Sequence, residues 1–191
     1  MRAVNTLSPR PAGQRFRQAM AQWPTGVAVV TGYGEAGQPL GFVVGSLCSV
    51  SLEPLLVALC IQKTSGTWAA FRAQERFAIN FLAAEQADLC WRFASGEPAR
   101  RFDGVAYERT PAGQPLLPGT CAWLDVRLAR EIEAGDHWLA LCEVTDLQSA
   151  PSHLPLAFAR GRLNRLEPCH TSAADHFERW EHSLNDFPFG N

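Results

Sequence analysis

Residues 63–67 read Lys63-Thr64-Ser65-Gly66-Thr67, a cation, three hydroxyls and a glycine in five positions. Such a loop can offer hydroxyls and main-chain amides to an anion. If Thr67 opens a helix, the helix dipole favours the same charge. The ordinary use of these residues is a plain helix cap. A second group is Gly135-Asp136-His137. Gly-Asp is turn chemistry, and it places an imidazole at the head of an apolar run. An exposed turn histidine is the bland reading; a hydrogen-bonding or proton-moving group is the sharper one. Gly32-Tyr33-Gly34-Glu35-Ala36-Gly37 spells Gly-x-Gly-x-x-Gly. A dinucleotide site needs a helix to begin within that motif. The chain continues instead as Gln38-Pro39-Leu40-Gly41-Phe42-Val43-Val44, a proline and strand formers, so a hairpin turn is expected. Arg92 ends a helical pattern, where a solvated charge is its plain reading. His170, His176 and His182 are six apart and point to different sides of any helix, so no metal site is expected. No Gly-x-Ser-x-Gly elbow occurs.

These groups need elements to hold them. Phe16, Met20 and Trp23 are spaced for an amphipathic helix over 14–23, ended by Pro24. Apolar, β-branched runs predict strands at 27–31, 40–47, 55–61 and 76–82, with 32–38 a turn and 49–54 a small-residue elbow. A helix from Thr67 to about residue 74 and another over 84–93 are expected, the latter with Leu89 and Phe93 on one face. Residues 95–119 are rich in Gly, Pro and charge and read mainly as surface loop. Long strands at 121–131 and 137–148 and a last strand at 156–166 complete the pattern. Many short strands with few helices between them suggest a mainly β fold with short helices, an antiparallel barrel. The expected organisation is a flexible arm at 1–13, one domain at 14–167, and a tail at 168–191 whose residues 175–184 read as helix.

The chain of 191 residues suits one domain, and 47% apolar residues exclude a disordered chain. A net charge of −2 gives no drive toward nucleic acid. Each apolar run is interrupted before it could span a bilayer, and 1–14 lack a signal-peptide core, so a cytoplasmic protein is expected. Six cysteines, at 48, 60, 90, 121, 142 and 169, form no Cys-x-x-Cys pair and read mostly as small buried hydrophobes.

One longer pattern joins these signals. Gly41, Ser46, Ser49, Ser51, Leu52, Glu53 and Pro54 are followed by Ser65, Thr67 and Trp68. Around them, in order, stand Pro24-Thr25-Gly26-Val27, the run 76–82, Arg92-Phe93, Arg101-Phe102 and Gly135-Asp136-His137. From about residue 16 to 166 the chain thereby resembles the flavin reductase-like family, the FMN-binding split β-barrels that serve two-component monooxygenases. Val43, Gly45 and Leu55 depart from it, standing where many relatives carry Thr, Ser and a second proline.

The resemblance implies an NAD(P)H-dependent flavin reductase. It implies FMN or FAD as cofactor, NADH or NADPH as hydride donor, a homodimer, and a monooxygenase partner that takes the reduced flavin. It implies flavin contacts from Leu40, Gly41, Phe42, Val43, Gly45 and Ser46, and main-chain contacts from Cys60, Ile61 and Gln62. It turns Ser65, Gly66 and Thr67, with Arg92 and Phe93, toward the flavin phosphate, and gives His137 a catalytic place beside the nicotinamide. A flavoenzyme acting directly on a small organic substrate, and a flavin carrier without turnover, are the alternatives.

Overall fold

The structure, a computed structural model, describes residues 11–166. The expected tail helix, the three spaced histidines and Cys169 lie outside these residues.

Helix α1 (Ala12–Met20) buries none of its residues, and Phe16 and Met20 on it and Trp23 just after it stand exposed. Strands β1 (Thr25–Gly26) and β2 (Ala28–Tyr33) follow. The hairpin to β3 (Pro39–Val44) is closed by the Gly34 amide on the Gln38 carbonyl at 2.9 Å, with Gly37 at φ +77°. The Gly-x-Gly-x-x-Gly stretch is thus the end of a strand and a hairpin turn, and the turn is tighter than the sequence suggested. The expected elbow at 49–54 is mostly strand, β4 (Cys48–Leu52), because its backbone pairs with β5 (Leu55–Gln62).

Helix α2 (Gly66–Gln74) is capped by Ser65, whose Oγ accepts the Trp68 amide at 3.2 Å. Thr67, the expected cap, lies inside the helix and is buried. Strand β6 (Arg76–Phe81) leads to a short 3-10 turn (Ala84–Gln86) and then α3 (Ala87–Ala94), so the expected helix over 84–93 begins one turn later. The 95–119 loop holds a second 3-10 turn and the small hairpin β7 (Glu108–Arg109) and β8 (Pro115–Leu116). Strands β9 (Ala122–Ala134) and β10 (His137–Ser149) are the long pair. The expected last strand is two, β11 (Leu156–Ala159) and β12 (Arg162–Arg165), because Arg160 and Gly161 both adopt positive φ and reverse the chain.

Seven strands form one antiparallel sheet in the order β3-β2-β6-β9-β10-β5-β4. A smaller sheet pairs β1, β11 and β12. The large sheet curls round one core of Val30, Phe42, Leu59, Ile61, Trp68, Phe71, Phe77, Ile79 and Val126. A second core, with Val29, Leu82, Phe93, Phe102 and Leu117, fills the space outside β2 and β3 beneath α3. Strands β3 and β4 end the sheet and are not bonded to each other, so the barrel is split rather than closed. Among the described residues no helix is long and apolar enough to cross a membrane. The described cysteines are unbonded; Cys90 and Cys142 are buried as expected, while Cys48 and Cys60 face outward and are exposed.

Candidate active site

The split is where main-chain groups lose their ladder partners. On β3 the Gly41 carbonyl points away from β2 and accepts Arg101 Nη1 at 2.9 Å. Polar groups of an antiparallel strand alternate sides, so Val43, two residues on, turns its own N–H and C=O to the same open edge. On β5 the Ser46 hydroxyl takes the place of a strand. Its Oγ accepts the Cys60 amide at 2.9 Å and donates to the Cys60 carbonyl at 3.0 Å. The Lys63 amide bonds across to the Asp136 carbonyl on the β10 side, at 3.0 Å. By the same alternation Gln62 faces the split. Its carbonyl accepts the Ser65 amide at 3.0 Å, and its N–H is aimed into the gap.

A cleft of about 280 Å³ occupies this gap. Its walls are Phe42, Val43, Val44, Gly45 and Ser46 on one side and Cys60, Ile61 and Gln62 on the other, closed by Ser65 and His137. Helix geometry leaves the Gly66 and Thr67 amides without intrahelical acceptors at this end of α2. Lys63 does not add its charge here, because its ammonium pairs with Glu133 and lies 5.3 Å from the Trp138 ring centre.

His137 stands opposite Gln62 in the β5–β10 ladder, so both side chains share the outer face. Its side chain is about one-third exposed (35%), with Nδ1 2.7 Å from Asp136 Oδ1. That hydrogen bond, reinforced by the imidazole's charge, holds the Asp136 carboxyl below the usual carboxylate range. It leaves Nε2 as the ring nitrogen free to meet a ligand.

Of the residues expected from sequence, Phe42, Val43, Gly45, Ser46, Cys60, Ile61, Gln62, Ser65 and His137 come together in this cleft. Leu40, Gly41, Gly66, Thr67, Arg92 and Phe93 are not among its lining residues. Leu40 and Phe93 are core. Gly41 is glycine for a packing reason, since a Cβ there would lie 2.7 Å from the Phe93 ring. Because Phe93 turns inward, its neighbour Arg92 faces the 95–103 loop, donating to the Asp103 carbonyl. Arg92 lines a separate cleft of about 480 Å³ with Arg100, Arg101 and Asp103. Burial pulls the Arg101 guanidinium below its ordinary pKa, and its nitrogens hold the Ser95, Gly96 and Gly41 carbonyls.

One lining residue and one neighbour of the lining were not expected from the sequence. Val44 lines the cleft although its side chain belongs to the core. Thr25 Oγ1 sits 2.8 Å from the point where a Gly45 Cβ would stand. A serine at position 45 has no room here unless Thr25 moves. Position 25 belongs to the Pro24-Thr25-Gly26-Val27 motif, which was the available signal.

A cleft edged by main-chain donors and acceptors, with spare amides at one end, suits a planar heterocycle carrying an anionic substituent. Comparison with known proteins agrees with that chemistry. A model of the flavin reductase like domain matches residues 20–167. The chain belongs to the flavin reductase-like family. It is 37% identical over 185 residues to the reductase subunit HsaB of a flavin-dependent monooxygenase from Rhodococcus jostii RHA1, a match covering 97% of this chain and 90% of that one. Among solved structures it resembles nitrilotriacetate monooxygenase component B of Mycobacterium thermoresistibile, with TM-score 0.78 and 34% identity over 82% of this chain and 87% of that one. It also resembles the NADH:FAD oxidoreductase SgcE6 of Streptomyces globisporus solved with NAD and FAD fragments, with TM-score 0.78 and 32% identity over 86% and 98% of the two chains. The family makes the chain an oxidoreductase of the flavin reductase type.

Proposed function

We propose that this chain is the reductase component of a two-component flavin-dependent monooxygenase, oxidising NADH and releasing reduced FMN or FAD to a partner oxygenase. The observation that carries this reading is the split between β3 and β5, which turns Val43 and the Gln62 amide onto one cleft with His137 at its rim. Bound there, a flavin supplies the two-electron chemistry, accepting hydride from a reduced nicotinamide.

The chain's own residues bind, orient and shield. Val43 and Gln62 main-chain groups hold the polar edge of the ring system, and Ser46 keeps the Cys60 backbone satisfied so that this edge does not collapse. Ser65 and the first-turn amides of α2 take the anionic tail. His137, anchored through Nδ1 by Asp136, presents Nε2 to the nicotinamide amide and fixes the approach of the donor. No residue forms a covalent bond. The name of the SgcE6 relative supports NADH as donor. The exposed Phe16, Met20 and Trp23 support a homodimer that covers them.

The test is anaerobic mixing of the purified protein with flavin and NADH while flavin absorbance near 450 nm is followed (an approximate band set by the cofactor). Rapid bleaching with many turnovers of added flavin is expected. Tight flavin binding with no bleaching by NADH or NADPH would make the chain a carrier instead. Single-turnover bleaching that becomes catalytic only when an organic substrate is added would make it a flavoenzyme with its own substrate.

A further inference from the structure

Glu131 lies on β9, outside the cleft lining, yet its carboxylate receives two donors from α2. Trp68 Nε1–H donates to Oε1 at 2.6 Å, and Arg72 Nε donates to Oε2 at 2.9 Å. Trp68 and Arg72 are one turn apart, so one carboxylate grips two successive turns of the helix. The Glu131 side chain is largely shielded, at 13% exposure, where charge-assisted hydrogen bonds hold geometry best. The tie is braced further. The Arg72 guanidinium lies 5.2 Å from the centre of the Trp138 ring on β10. Lys63, at the start of the loop leading to α2, reaches the same ring and pairs with Glu133.

The residue so held is central to the cleft. Trp68 is buried, its amide is the group capped by Ser65, and its indole stands edge-on to Phe42 with ring centres 6.3 Å apart. Ser65 and Phe42 both line the cleft. A turn of α2 that moved the indole would carry Ser65 and the Gly66 and Thr67 amides with it.

We infer that Glu131 is a positioning residue for the anion-binding end of the cleft, acting through Trp68 to hold the first turn of α2 at a fixed place relative to β5. The inference rests on the reading of the cleft as a flavin site. It assigns to Glu131 control over the phosphate end of the ligand and not over the ring.

The test compares FMN with riboflavin, which lacks the phosphate, by fluorescence titration of the full chain. Wild type should bind FMN at least tenfold more tightly than riboflavin; equal affinities would remove the phosphate reading and the inference with it. Given that preference, Glu131→Ala should weaken FMN about tenfold and leave riboflavin within about twofold. Glu131→Gln keeps an acceptor for the indole and should restore FMN to within about threefold of wild type. Trp68→Phe should match Glu131→Ala, and the double variant should be no worse than either single one. An Ala variant that loses both ligands equally, or neither, would overturn the positioning role, as would a Gln variant as weak as Ala. Thermal unfolding of each variant shows that the folded fraction is the one titrated.

Discussion

The two sides of the barrel handle the same problem in opposite ways. On the β2–β6–β9 side every strand has a partner on both edges, and what the ladder cannot reach is met by Asn80. That side chain is fully buried. Its Nδ2 donates to the Val29 carbonyl at 3.2 Å and to Thr31 Oγ1 at 2.9 Å, and its Oδ1 accepts the Leu117 amide at 2.9 Å. Thr31 donates its own hydroxyl proton to the Pro115 carbonyl. On the β3–β5 side the ladder stops, and single side chains stand in: Arg101 on Gly41, Ser46 on Cys60. What they leave uncovered, at Val43 and Gln62, edges the cleft. A strand edge becomes a binding surface when a partner is withdrawn and only part of the loss is made good.

The contrast between the sides breaks most visibly on the closed one. Asn80→Ala leaves the Leu117 amide and the Val29 carbonyl buried without that partner, so a stability loss of about 3 kcal/mol is expected. Denaturant unfolding checks this. Flavin affinity of the folded fraction should stay near wild type, because Asn80 lies away from the split; a parallel loss of binding would mean the two sides are not separable.

On the open side the largest effect should come from His137→Ala. With Nδ1 engaged by Asp136, the role proposed for the ring rests on one hydrogen bond at Nε2. Losing it should slow anaerobic flavin reduction about tenfold, near 1.4 kcal/mol, with flavin affinity unchanged. A hundredfold loss would add proton transfer to the role. An unchanged rate at low NADH would reduce His137 to a turn residue.

A smaller effect sharpens the edge of β3. Gly45→Ser forces the new Cβ against Thr25 Oγ1. Displacing that neighbour should cost about 1 kcal/mol of stability, and the shift it forces in the cleft wall should weaken flavin binding severalfold. Adding Thr25→Ala should restore affinity. Failure of the second change to rescue the first would show that the glycine is needed for ligand access rather than for Thr25.

Most of this contrast was legible in the residues. Strand periodicity placed the walls, and Pro39 with its β-branched followers excluded a dinucleotide helix after the glycine motif. The family resemblance carried by Gly41 to Trp68 brought both sides of the cleft into view. What could not be read depends on which way a residue turns. Ser65 and Thr67 are both hydroxyl residues at a helix start, and only the backbone path makes the first the cap and buries the second. Arg92 carries a charge suited to a phosphate, but the inward turn of Phe93 sends it to another cleft. Glu131 and Trp68 are 63 positions apart, and nothing local signals that they meet.

The finest distinction between the two sides is electrostatic. Asp125 on β9 is fully buried on the closed side, accepting Thr110 Oγ1–H at 2.7 Å and the Ala112 amide at 3.1 Å. Burial pushes its carboxyl above the ordinary aspartate range, more than those two bonds pull it down. Asp136, exposed at the rim of the split, is shifted the other way by His137. The signs follow from linkage. Asp125 binds its proton more tightly folded than unfolded, so its contribution to stability is fully present below the ordinary aspartate pKa and is lost as pH rises through the raised one. Asp136 contributes stability above its ordinary value that is lost as pH falls through the lowered one. Asp125→Asn should therefore remove a decline in stability just above the ordinary aspartate pKa, and Asp136→Asn a decline just below it, each visible in unfolding midpoints measured in steps across the acid range. Asp125→Asn should leave NADH-dependent flavin reduction unchanged at neutral pH, since Asp125 does not line the cleft; Asp136→Ala, which removes the acceptor that anchors His137, should slow it severalfold. Equal kinetic effects from both substitutions would show that the buried side and the split are coupled through β9.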